Sequence, residues 1–351
     1  MWLRLLLRLR GAAARGRLPE ALRGRPGGRG GPDRDRAGRR LGALTVDLGL
    51  DLCGLRLEHP ILNGSGTFDA IAARRAFGDE LDARLPFSLY VSKTITPEPR
   101  AGNPAPRLYE TPAGMVNSIG LPNKGLAGFL DDDLPRLAAL PVPLCVSVMA
   151  PSRDGFGVLV ERVAGRVEVA ALELNVSCPN VHSGLIVGER PAETLALLGS
   201  LRPLTDKPLI VKLTPNCADP AAVARAAEEG GADAVSLINT LRATALEPRT
   251  LAPWLGAGSG GLSGPAIRSL ALDQVRRVAA EVSIPVVGMG GIESGADALA
   301  MLSVGASAVA VGTASFRDPL AAERVRSELA AALDLRGLSG LPVAGLVSTS
   351  S

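Results

Sequence analysis

From residue 44 onward the chain repeats one pattern. A short apolar run is followed by a polar or glycine-rich break, and then by a longer Ala/Leu/Arg stretch with helical spacing. Eight apolar runs occur in order: Pro60–Leu62, Ser88–Val91, Leu144–Val148, Ala171–Leu174, Leu209–Val211, Ala234–Ile238, Pro285–Val287 and Ala308–Val311. Unbroken apolarity of this length suits strands buried on both faces, as in a parallel sheet. The stretches Pro191–Leu204, Pro220–Glu229, Ile267–Val282, Ala296–Val304 and Pro319–Leu333 read as helices, several opening on Pro or Asp and closing at Gly. Strand–helix alternation repeated eight times predicts an α/β fold, a closed (β/α)8 TIM barrel. An open doubly wound sheet is the competing architecture, but the early Gly-x-Gly-x-x-Gly turn it needs is missing. Ahead of the barrel, Thr45-Val46-Asp47-Leu48 and Leu55-Arg56-Leu57 flank Cys53-Gly54 and predict a short N-terminal β-hairpin.

This pattern divides the chain into an Arg/Gly-rich extension (1–43), the barrel (44–335) and a C-terminal tail (336–351). The net charge of +3 conceals an asymmetry. Residues 1–40 hold twelve Arg against Glu20, Asp33 and Asp35, or +9, while the remainder carries 26 basic and 32 acidic residues, or −6. A mildly acidic body argues against a nucleic-acid surface, and 3% aromatic residues leave little for base stacking. The extension reads as a disordered tail or an over-extended translation start. A membrane-surface anchor, from Leu and Trp alternating with Arg, and a targeting peptide are its other readings. No apolar run is long enough to span a bilayer. Four scattered cysteines (53, 145, 178, 217) and two histidines (59, 182) form no metal-type spacing. Sparse cysteines in a large domain suit a reducing, cytoplasmic location.

In such a barrel the loops after the strands share one face, and that face carries the chemistry. The strand ends present Asn63, Ser65, Lys93, Ser147, Asn175, Cys178, Lys212, Asn239, the Gly288–Gly291 turn and Gly312-Thr313. Asn175-Val176-Ser177-Cys178-Pro179-Asn180 is the most chemical of these, because a buried strand ends where a thiol, two amides and a hydroxyl appear. Position alone leaves Cys178 open as a small buried hydrophobe or as a reactive thiol. Lysine usage is a sharper clue. Of 38 basic residues 34 are Arg, yet Lys93 and Lys212 stand at strand ends, where a compact ammonium can act as a point charge. Val287-Gly288-Met289-Gly290-Gly291-Ile292 and Val311-Gly312-Thr313-Ala314 end the last two strands, where backbone N–H groups commonly hold phosphate. Residues 115–123 read as a loop rich in amides. Cys53, Cys145 and Cys217 read as structural, and His182 and Asp131–Asp133 as solvated.

Together these motifs resemble the dihydroorotate dehydrogenases of the soluble class with a cysteine base. The resemblance spans residues 45–335 and rests on Ser-Lys-Thr (92–94), Asn-Ser-Ile-Gly-Leu-Pro-Asn (117–123), Asn-Val-Ser-Cys-Pro-Asn (175–180), Val-Lys-Leu-Thr-Pro-Asn (211–216), Ile-Asn-Thr (238–240), Gly-Gly-Leu-Ser-Gly-Pro-Ala (260–266), Gly-Met-Gly-Gly-Ile (288–292) and Val-Gly-Thr-Ala (311–314). It implies one FMN per chain and oxidation of dihydroorotate to orotate in de novo pyrimidine (UMP) synthesis. Cys178 would be the base at C5, with hydride passing to FMN. The resemblance further implies substrate contacts from Lys93, Asn117, Ser118, Ile119, Gly120, Leu121, Asn175, Asn180, Asn239 and Thr240. FMN would contact Ser65, Lys93, Thr94, Ser147, Asn175, Lys212 and Ile238, with its phosphate near Gly264, Gly290, Gly291, Gly312 and Thr313. No metal is implied.

Gly-Gly-Leu-Ser-Gly-Pro-Ala and Gly-Thr-Ala-Ser-Phe look like the NAD-linked B-type branch. There a homodimeric core pairs with an electron-transfer subunit carrying FAD and a 2Fe–2S cluster, giving a heterotetramer. Gly120-Leu121-Pro122-Asn123 looks closer to the fumarate-using homodimers, and Ser147 stands where the NAD-linked branch often has Asn. Dihydropyrimidine dehydrogenase is a further alternative, but a His-Gly pair is expected where this chain has Asn180-Val181. Dihydrouridine synthases would need a basic body. A barrel that has lost activity would not be expected to keep the cysteine, both lysines and all the amides.

Overall fold

A computed structural model describes residues 46–176 and 187–341. Cys178 and Asn180, like the extension up to Thr45, lie outside the described residues. The strands are β1 (Leu50–Leu52), β2 (Leu55–Leu57), β3 (Ile61–Asn63), β4 (Tyr90–Val91), β5 (Leu108–Thr111), β6 (Gly114–Asn117), β7 (Leu144–Val148), β8 (Ala171–Asn175), β9 (Leu209–Lys212), β10 (Ala234–Leu237), β11 (Leu241–Ala243), β12 (Gly260–Ser263), β13 (Val286–Met289) and β14 (Ala308–Val311). Eight of them form one parallel sheet in the order β3-β14-β13-β10-β9-β8-β7-β4. Each coincides with one of the eight apolar runs, so the barrel expectation holds.

The two end strands, β3 and β4, meet through a side chain. The Asn63 amide donates to Val91 O at 2.8 Å and accepts from Val91 N at 2.7 Å, and Ser88 N donates to Ile61 O at 3.1 Å. An amide that both donates and accepts can stand in for a peptide group where the ladder is short. Asn63 is thereby a closure residue, fully buried, and not part of the cleft.

Between strands run α1 (Ala70–Phe77), α2 (Arg153–Ala164), α3 (Pro191–Leu201), α4 (Pro220–Glu229), α5 (Arg268–Ala279) and α6 (Gly295–Ser303), and α7 (Ala321–Asp334) follows β14. A helical segment over 125–137, with a π-turn at Phe129–Asp133, links β6 to β7. The starts are set by short polar side chains. Asp69, Ser152 and Asp219 cap α1, α2 and α4, and Ser294 with Asp297 forms a capping box on α6.

The hairpin is present with its first strand shifted. Cys53 and Gly54 both have positive φ, 55° and 81°, a two-residue turn that pairs Leu52 with Leu55 and Leu50 with Leu57. Val46–Leu48 is therefore not part of the first strand, and Asp47 instead bridges Gly340. Leu52 and Leu57 pack with Cys145, Ala171, Ile210, Ala234 and Ala308 inside the barrel. The Cys53 thiol donates to Asp233 O, just ahead of β10, so the hairpin stoppers the end of the barrel where the strands begin.

Residues 115–123, expected to be loop throughout, begin in a strand. β6 belongs to a four-stranded antiparallel sheet, β11-β12-β6-β5, that lies outside the barrel ladder. Its strands come from two remote excursions, after β4 and after β10. Gly261 faces Asn117, and a Cβ on Gly261 would collide with Thr240 Oγ1.

Candidate active site

Alternation along each barrel strand sorts the interior into layers. Cys145, Ala171, Ile210 and Ala234 form an apolar layer. Two residues further along the same strands stand Ser147, Glu173, Lys212 and Ser236, all buried. Beyond them, at the strand ends, a cleft of about 260 Å³ opens.

The cleft draws together most of the residues singled out by sequence. Ser65, Lys93, Thr94, Asn175, Lys212 and Ile238 line it from strand ends, and Asn239 and Thr240 from the segment after β10. Asn117, Ile119, Gly120 and Leu121 enter from β6 and its continuation, and Gly264, Gly290, Gly291, Gly312 and Thr313 from the later turns. A hydroxyl and amide network holds the wall. Ser65 Oγ donates to Ser92 O at 2.9 Å and lies 3.0 Å from Thr94 Oγ1, which accepts from Asn175 Nδ2 at 3.3 Å. Asn117 Nδ2 donates to Gly261 O at 3.2 Å, tying β6 to β12.

Among the described residues of the expected set, two do not line the cleft. Ser118 is fully buried; its N–H donates to Arg107 O and its hydroxyl accepts from Asn103, so it anchors the loop before β5. Ser147 is also fully buried, with Oγ 2.8 Å from Glu173 Oε1 and 2.9 Å from Thr94 Oγ1, so it stands one layer below the wall.

Sequence reading missed Glu173, which hides in the apolar run Ala171–Leu174. Its carboxylate lies 3.9 Å from Lys212 Nζ, with both side chains no more than 7% exposed. The one available signal was a charge inside a buried strand, which requires a partner. Gly66, Met115, Ser263 and Met289 also line the cleft and carried no chemical signal.

The glycine turns make the other end of the site. Gly264, Gly290 and Gly291 have φ of 93°, 129° and 74°, which side-chain-bearing residues rarely adopt. Arg268 Nε donates to Gly291 O at 2.8 Å while its Nη1 pairs with Asp297 at 2.8 Å, bracing the turn against α6. Among the described residues, the N–H groups of Gly291, Gly312 and Thr313 find no acceptor. Clustered open donors of this kind fit an anionic phosphate. Together with the hydroxyls, amides and two ammonium groups of the wall, they fit a phosphorylated planar ligand such as FMN.

The other thiols are chemically quiet. Burial pushes Cys53 up to about 12, aided by the nearby Asp233 carboxylate, and raises Cys145 well above an ordinary thiol. Cys217 is half-buried, raised by burial, and donates to Thr214 O. Among the described residues there is no group of three His, Cys, Asp or Glu that could hold a metal, and no helix long and apolar enough to cross a membrane.

Comparison with known proteins agrees with this geometry. The profile described as dihydroorotate dehydrogenase matches residues 47–333. The chain is 40% identical over 294 residues to the "Dihydroorotate dehydrogenase B (NAD(+)), catalytic subunit" of Geotalea daltonii, covering 84% of this chain and 95% of that protein. It is 43% identical over 299 residues to the protein of the same name from Desulforudis audaxviator, with 84% and 95% covered. A Solibacter usitatus protein with a provisional type A (fumarate) name is 41% identical over 299 residues, with 84% and 96% covered. The chain belongs to the dihydroorotate dehydrogenase family. It is an oxidoreductase that oxidises dihydroorotate.

Proposed function

We propose that this chain is the FMN-bearing catalytic subunit of an NAD-linked dihydroorotate dehydrogenase, producing orotate for pyrimidine synthesis. The observation that carries this reading is the convergence of Lys93, Asn117, Asn175 and Lys212, from four separate segments, on one cleft beside open glycine-turn donors. FMN, when bound, supplies the two-electron acceptor. Its phosphate would be held by the N–H groups of Gly291, Gly312 and Thr313, with Gly264 and Gly290 shaping the turn. Ser65, Thr94, Asn175 and Lys212 would hold its ring system.

Lys93 offers a fixed cation for the carboxylate of dihydroorotate. Asn117, Asn239 and Thr240 offer donors and acceptors for its planar polar edges, which fix orientation and discriminate against rings lacking those groups. Cys178 follows β8 by three positions and takes the C5 proton as thiolate. That role requires a thiol far easier to ionise than Cys53 or Cys145. Lys212 concentrates positive charge at the floor of the cleft, where negative charge accumulates as substrate is oxidised.

The B-type names of the Geotalea and Desulforudis relatives favour NAD as final acceptor, and the motif resemblance implies that it is reached through a partner subunit carrying FAD and a 2Fe–2S cluster. The fumarate-using reading is favoured only by the Solibacter name and by Gly120-Leu121-Pro122-Asn123. The two readings separate when the purified chain, loaded with FMN, is given dihydroorotate with NAD, fumarate or an artificial dye. Dye reduction without NAD reduction supports the catalytic-subunit reading. Rapid fumarate reduction would replace it with the homodimeric one, and no turnover with any acceptor would reject both.

A further inference from the structure

We propose that Glu173 is the positioning residue and counter-charge of Lys212, setting how much positive potential the lysine projects into the cleft. The inference rests on the reading that FMN occupies this cleft. Glu173 does not line the cleft itself; it stands one layer below on β8. In register it faces Ser147 on β7, while Lys212 on β9 faces Asn175 and, on β10, Ser236. The carboxylate therefore meets Ser147 Oγ at 2.8 Å and Ser236 Oγ at 3.5 Å, and Lys212 Nζ at 3.9 Å. Its register partner on β9 is the apolar Ile210, and Cys145, Ala171 and Ala234 of the core are apolar too, so its polar partners are Ser147, Ser236 and Lys212.

Ser147 connects this carboxylate to the wall. Its hydroxyl is also 2.9 Å from Thr94 Oγ1, which meets both Ser65 and Asn175. A change of charge at Glu173 is thus felt in two ways: directly by the ammonium, and along an unbroken run of hydroxyls that ends in three cleft residues. Because both side chains are almost fully buried, the Glu173 charge offsets a large part of the Lys212 field. Replacing the carboxylate by its isosteric amide keeps shape and hydrogen-bonding capacity but leaves the ammonium uncompensated. A purely structural role predicts lower stability and no particular electrostatic direction.

The test uses full-length protein loaded with FMN, comparing wild type with Glu173→Gln, Glu173→Asp and Lys212→Gln. The readouts are the midpoint potential of the bound flavin, its dissociation constant and thermal unfolding. The expected result is a positive shift of potential in Glu173→Gln, on the order of tenfold in the reduction equilibrium or about 30 mV for a two-electron couple. Lys212→Gln shifts it the other way. Glu173→Asp, which keeps the charge but draws it back from Lys212, gives a smaller positive shift and serves alone if the amide variant does not fold. An unchanged or more negative potential in the folded Glu173 variants overturns the proposal. Wild-type protein that fails to bind FMN would instead overturn the reading on which it rests.

Discussion

Gly66 is the floor on which Lys93 lies. A Cβ added to Gly66 would stand 2.8 Å from Lys93 Cδ and 2.9 Å from its Nζ, closer than real carbon contacts allow, and the Gly66 φ of 72° already disfavours a side chain. A side chain at this position would have to displace the lysine.

Gly66→Ala is therefore expected to displace the Lys93 ammonium and not to unfold the barrel. KM for dihydroorotate rises by about tenfold, equivalent to about 1.4 kcal/mol of lost binding, and the positive φ costs on the order of 1 kcal/mol in stability. Steady-state kinetics with a thermal melt check both. An unchanged KM would remove Lys93 from the substrate site.

The glycine turn after β13 is expected to govern cofactor retention. At Gly291, where φ is 74°, a Cβ would stand 2.8 Å from Arg268 Cβ and 3.0 Å from Gly264 O, so Gly291→Ala pushes the two turns apart. The dissociation constant for FMN rises by about tenfold or more, while far-UV circular dichroism stays that of the wild type. FMN titration by fluorescence quenching decides it, and equal affinity would move the phosphate elsewhere.

His59, buried just before β3, predicts a specific acid sensitivity. Burial, reinforced by the Arg326 cation, lowers it from 6.5 to about 4, and its Nδ1 accepts from Ile61 N at 3.3 Å in the neutral form. Between those two values the unfolded chain binds a proton that the folded chain does not. Stability is therefore full above pH 6.5, falls as pH drops towards 4 and levels off below. The total loss is about 3 kcal/mol. Urea midpoints from pH 4 to 7 for wild type and His59→Asn test this; parallel profiles would show that His59 is not the responsible group.

Thiol chemistry should separate Cys178 from the rest. At pH 8 the raised values of Cys53, Cys145 and Cys217 keep all three protonated, so iodoacetamide is expected to spare them until the protein unfolds. Alkylation of the native enzyme should fall on Cys178 and abolish dihydroorotate oxidation. Cys178→Ser should bind FMN normally yet lose about 100-fold or more in turnover near neutral pH. Peptide mapping and single-turnover kinetics supply the measurements, and full activity in Cys178→Ser would end its role as base.

The sequence by itself determined the barrel. Eight apolar runs, each buried on both sides, coincide with the eight barrel strands, because burial and the helix-start signals at Ser152, Asp219 and Ser294 are written locally. It also placed Lys93, Asn175, Lys212 and the glycine turns on one face, since connectivity alone puts the ends of parallel strands together. Only the tertiary structure decided which polar residues meet. Asn117 bonds Gly261 across 144 positions of sequence, and that antiparallel pairing depends on register between distant segments, which no local period encodes. Ser118 and Ser147 looked equivalent to their neighbours until packing buried them. Glu173 was hidden by the apolar run around it, and its meaning appeared only when the adjacent strand set Lys212 at 3.9 Å. A buried charge is defined by its partner, and partners across strands belong to the fold and not to the segment.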